Sequence, residues 1–122
     1  MQFREPKNDE KIVWTKHVIQ KMKYYGLSEN KLRNVMWRPE RVEEGIAYNT
    51  IAIMQSYGSV KKPKEIWLMY QTFSQQGKKK KRIISAWRYP SVSPKGKEIY
   101  IPDDVLEIIN KIKKKKILSK ID

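Results

Sequence analysis

The chain has 122 residues, 27 of them Lys or Arg and 13 Asp or Glu, for a formal net charge of +14. That length fits one domain over residues 1–122, and 39% hydrophobic with 11% aromatic residues exclude a basic disordered tail. The absence of cysteine excludes disulfide scaffolds, thiolate metal sites and cysteine nucleophiles. The charge excess favours an anionic partner: nucleic acid first, then an acidic protein, then an anionic membrane.

Residues 1–9 are polar, include Pro6 and read as a loose N-terminal arm or a short edge strand led by Phe3, without a signal-peptide core. No apolar run approaches a membrane span, so a cytoplasmic location is expected. Over residues 10–25 the apolar positions Val13, Trp14, Val18, Met22 and Tyr25 recur at helical spacing, and Gly26 is placed to stop the helix. Ser28 then reads as the N-cap of a second helix with Leu32, Val35 and Met36 on its inner face, ending before Pro39. So short a turn puts both helices on the same side of a sheet.

Three strands follow. Residues 47–56 alternate Ile51 and Ile53 against Ala52 and Met54. Residues 65–73 set Ile66, Leu68 and Tyr70 against Trp67, Met69, Gln71 and Phe73. After a turn at residues 74–77, residues 81–88 make the third strand, and short polar connections imply an antiparallel meander. Residues 90–97 form an extended loop, and Asp103 reads as the cap of a last helix with Val105, Ile108, Ile109 and Ile112 on its apolar stripe. Lys113, Lys114, Lys115 and Lys116 prolong that helix into a basic C-terminal tail, residues 113–122. The predicted class is α+β: two N-terminal helices packed on a three- to four-stranded antiparallel sheet, with a C-terminal helix.

Two details of this order carry a resemblance. The third strand reads Arg82-Ile83-Ile84-Ser85-Ala86, and the first helix carries Lys16-His17. In both respects the chain resembles the BrnT-type toxins of the RelE/ParE-like superfamily, from the first helix to the end of the third strand. The resemblance implies a RelE-like fold, an endoribonuclease acting on messenger RNA, and a cognate antitoxin as protein partner. The chain departs from the family where Trp87 displaces the Arg that follows Ser-Ala, and in the Pro-containing loop after Tyr89.

Metal-free RNA cleavage needs proton-transfer groups and cations that stabilise the phosphorane. His17 is the one side chain with an unperturbed pKa near neutrality, and helical spacing puts Lys21 and Tyr24 on its face. Arg88 and Tyr89 end the third strand, where a guanidinium can clamp a phosphate and a phenol can stack a base; with His17 they form the catalytic set. Lys78, Lys79, Lys80, Lys81 and Arg82, together with Lys21 and Lys113 to Lys116, are the expected nucleic-acid contacts, supported by Lys61, Lys62, Lys64, Lys95 and Lys97. The carboxylates are scattered: Glu40, Glu43 and Glu44 lie near a helix–sheet junction, and Asp103 and Asp104 read as capping residues. No metal site and no cofactor are expected. Nucleic acid, RNA before DNA, is the expected partner, with an antitoxin protein beside it and no membrane. Three readings stand: a RelE/BrnT-like endoribonuclease, a non-catalytic RNA- or DNA-binding module, and a basic protein that binds an acidic protein.

Overall fold

Asn8 and Asp9 turn the N-terminal segment by accepting backbone N–H groups, Asn8 from Trp14 and Asp9 from Lys11 and Ile12. The β-branched and aromatic triplet that follows is a strand, β1 (Ile12–Trp14), in parallel register with the last strand of the sheet. The expected helix over residues 10–25 therefore begins later, as α1 (Lys16–Tyr25), with the Thr15 hydroxyl accepting from Val18 N as its N-cap. A three-residue strand gains a partner 69 positions away, which helical spacing within one segment cannot reveal. The computed structural model describes residues 3–44, 47, 49–94 and 98–121, with side chains described through residue 112.

Gly26 ends α1 in the left-handed conformation (φ 67°), and the N–H of Leu27 returns to Met22 O at 2.8 Å, a Schellman closure in which Leu27 and Met22 are both buried. Ser28 caps α2 (Glu29–Trp37), accepting from Lys31 N. β2 (Arg41–Glu44), β3 (Thr50–Gly58), β4 (Pro63–Gln75) and β5 (Lys78–Tyr89) follow, and α3 (Asp103–Ile121) closes the chain. Gly58 is required at its turn: φ is 92°, and a Cβ there would meet the Lys62 carbonyl oxygen at 2.6 Å.

The class is α+β with a C-terminal helix, and the sheet is larger than the expected three or four antiparallel strands. Its five strands are ordered β1-β5-β4-β3-β2, antiparallel except for the β1–β5 pair. The additions are the two short edge strands. β2 has the composition Arg-Val-Glu-Glu, whose charge hid a strand that pairs with β3.

The alternation of β4 sorts the core into two layers. Ile66, Leu68 and Tyr70 face Val18, Met22, Leu32 and Val35 of α1 and α2. Trp67 and Met69 face Val105 and Ile109 of α3. Trp67 and Trp87 are directly opposed across β4 and β5, fully buried, with rings stacked at 6.2 Å. Among the described residues no helix is long and apolar enough to cross a membrane.

Candidate nucleic-acid interface

The β4–β5 hairpin outruns the sheet that supports it. β3 pairs with β4 only as far as Gln71, and β1 pairs with β5 only from Lys81 onward. Between those limits, among the described residues, the two strands pair only with each other, Phe73 with Lys80, Ser74 with Lys79 and Gln75 with Lys78. At a strand rise of about 3.3 Å per residue, the three paired positions beyond Thr72 extend the ribbon by about 10 Å before its turn. Gln76 (φ 52°) and Gly77 (φ 77°) make its two-residue turn, and positive φ at both positions is the type I′ geometry that matches strand twist. The turn expected over residues 74–77 is thus confined to Gln76 and Gly77: Ser74 and Gln75 belong to β4, and Lys78, Lys79 and Lys80, expected ahead of the third strand, belong to β5.

Every residue from Lys78 to Arg82 is a cation, and the facing residues Gln71, Thr72, Phe73, Ser74 and Gln75 are neutral. Alternation puts Lys79 and Lys81 on the α1/α2 face of the sheet, and Lys78, Lys80 and Arg82 on the α3 face. Lys81 Nζ lies 4.8 Å from the Tyr70 ring centre, and the Arg82 guanidinium 4.2 Å from that of Phe73. Lys78 stands 3.9 Å from Glu10, with both side chains largely exposed, a contact of little energy. Among the described residues, no carboxylate lies within ion-pair distance of Lys79, Lys80, Lys81 or Arg82.

His17 and Lys21 sit one helical turn apart on α1 and meet the first turn of α3. His17 Nε2 lies 3.0 Å from Ser85 Oγ and 3.7 Å from Asp104 Oδ2, and Lys21 Nζ pairs directly with Asp104. Lys21 also lies over the Tyr24 ring at 5.3 Å, so the expected imidazole, ammonium and phenol do share a face. Burial lowers the His17 pKa, against an upward pull from Asp104 and with a further downward push from Lys21. The hydrogen bond to Asp104 raises Lys21. Burial pulls Asp104 upward, but Lys21 outweighs it and the carboxyl ends below its ordinary range. One imidazole nitrogen faces both Ser85 and Asp104, whereas a Ser-His-Asp relay needs them on opposite nitrogens. Ser85 is also fully buried and out of reach of a substrate.

Arg88 and Tyr89 do not join His17. The Arg88 guanidinium donates to Tyr25 O (2.7 Å) and Gly26 O (3.3 Å), satisfying carbonyls at the end of α1, and lies 5.0 Å from the Tyr57 ring centre. Those carbonyls are eight and nine residues past His17, about 12 Å or more along the helix axis. Tyr89 stacks on Tyr100 at 5.4 Å and packs on the α3-side core. Lys113, Lys114, Lys115 and Lys116 continue α3 in the backbone, but their side chains lie outside the described residues, as do Lys95 and Lys97 altogether. Among the described residues no group of three His, Cys, Asp or Glu could hold a metal ion.

Two polar clusters escaped the sequence reading. Asp104 was expected only as a cap, and nothing in the order of residues shows that its helix meets α1. Glu65 is fully buried, accepting from Trp67 Nε1 (3.0 Å), Ser93 Oγ (2.6 Å) and Ser93 N (3.1 Å). A signal for it exists: in a strand, residues two apart share a face, so Glu65 is the natural acceptor for the Trp67 indole. Comparison of the chain with protein-family models, with curated proteins and with solved structures gave no match.

Proposed function

We propose that the protein binds nucleic acid through the β4–β5 ribbon. The observation that carries this reading is a run of cations on a projecting hairpin, four of them without a carboxylate partner among the described residues. Concentrated positive charge without internal neutralisation repels itself and is relieved by a polyanion, whose condensed counterions are released on binding. Lysines on a free hairpin also discourage edge-to-edge pairing with other chains. One or two residues on an edge suffice for that, and the purpose does not call for cations on both faces. The test is equilibrium binding of the protein to mixed-sequence RNA and DNA over a range of salt. Affinity for at least one of them that falls steeply with salt supports the reading. No binding, or binding indifferent to salt, refutes it.

The α1–α3 junction favours a second reading, metal-independent RNA cleavage of the BrnT/RelE type, with an acidic antitoxin as the protein partner. Its support is a partly exposed His17 whose lowered pKa keeps the imidazole neutral near pH 7, beside the Lys21 ammonium. Degradation of messenger RNA, with and without ribosomes, by the protein and by a His17→Ala variant tests it. Absence of degradation, or equal degradation by both, removes it.

A further inference from the structure

Resting on the nucleic-acid reading, we infer that the β4–β5 ribbon enters the major groove of B-form DNA, its two charged faces meeting the phosphates of the two groove walls. Three observations converge on a duplex. The first is dimension: the paired ribbon reaches about 10 Å beyond its support before its turn, while the B-form major groove is about 12 Å wide and 8.5 Å deep and admits a two-stranded ribbon. The second is distribution. Lys79 and Lys81 point to one face and Lys78, Lys80 and Arg82 to the other. A ligand lying along one face would leave the other set unused, whereas a groove has phosphates on both sides.

The third observation concerns the aromatic rings. Binding of single strands relies on open faces on which bases stack. At the base of the ribbon those faces are already taken, Tyr70 by Lys81 and Phe73 by Arg82. The exposed Trp37 ends α2, whose Asn34 bonds Gln55 opposite Ile66, toward the other end of β4. An A-form RNA duplex is also a poor fit, because its major groove is too narrow and deep for side chains to read. The tip supplies what base edges require: Ser74, Gln75 and Gln76 are exposed, and a glutamine amide can bond an adenine in two places.

The experiment measures fluorescence-anisotropy titrations of the full chain against a mixed-sequence DNA duplex, the RNA duplex of the same sequence, and the separated strands. Dimethyl sulfate footprinting of guanine N7, a major-groove atom, accompanies it. The expected result is binding of the DNA duplex about tenfold or more tighter than of the other forms, with N7 protected. Two double variants, Lys79→Gln with Lys81→Gln and Lys78→Gln with Lys80→Gln, should each reduce the salt slope by about 1.8. Equal affinity for RNA duplex or single strands, unprotected N7, or a loss confined to one face would overturn the inference while leaving nucleic-acid binding standing. Failure of every form to bind would remove both.

Discussion

The two ends of β5 use charge in opposite ways. At the C-terminal end Arg88 is bound to the carbonyls of Tyr25 and Gly26, and Ser85 to His17. Next to them Lys21 is paired with Asp104 and Glu65 is enclosed by Trp67 and Ser93. At the N-terminal end, four cations in succession have no carboxylate within reach among the described residues. Polar groups at the first end hold helices and a loop against the sheet, whereas those at the second are the ones we propose meet an external anion. The distinction lies in composition as well as partners: the C-terminal end of β5 holds one cation, Arg88, and the N-terminal end holds five in succession.

The comparison breaks most visibly if the ribbon is neutralised. Replacing Lys79, Lys80, Lys81 and Arg82 with Gln should weaken nucleic-acid binding on the order of 10³-fold near 0.1 M salt. Loss of the two cation–π contacts should lower stability by only about 1 kcal/mol. Titrations paired with thermal melts read both quantities. At the other end the effects reverse. Glu65→Ala strands an indole N–H, a hydroxyl and a backbone N–H in the core, and should lower stability by about 3 kcal/mol in urea unfolding. Arg88→Ala removes a charged donor from the end of α1 and should lower it by about 1–2 kcal/mol by the same measurement.

The smallest effect is one of pH. His17 is held below its ordinary pKa, so the unfolded chain takes up the proton more readily, and stability should fall as pH drops below about 6.5. Lys21 is held above its ordinary value, so its contribution is complete below about 10.5 and is lost as pH rises through the higher folded value. Asp104 is held low, so its contribution is complete above about 3.8 and is lost as pH falls through the lower folded value. Thermal melts should therefore be flattest on the alkaline side of neutrality. A His17→Gln variant should lose the decline between pH 7 and 5.5, a slope near the ordinary histidine pKa of about 6.5.

Local signals in the sequence were dependable. Gly26, Ser28 and the Gln76-Gly77 turn act where their backbone chemistry says they should, and the alternation in β4 sorts its residues correctly between two cores. What lay hidden was long-range. β1 is a strand because β5 lies beside it, and Asp104 is more than a cap because α3 meets α1. The grouping of His17 with Arg88 and Tyr89, read from side-chain chemistry, illustrates the same limit. Position at a strand end marked Arg88 and Tyr89 as available, but the C-terminus of α1 and the ring of Tyr100 engage them. The lysine run was legible as charge; that it forms a paired ribbon with two faces follows only from the register.

The dependence of binding on salt tests the central claim most directly. If the five cations of the ribbon meet phosphates, a plot of log Kobs for a DNA duplex against log salt should have a slope of about −4.5, and the four-residue Gln variant should flatten it to about −0.9. An unchanged slope in that variant would contradict the account, because the anion would then be held elsewhere on the protein.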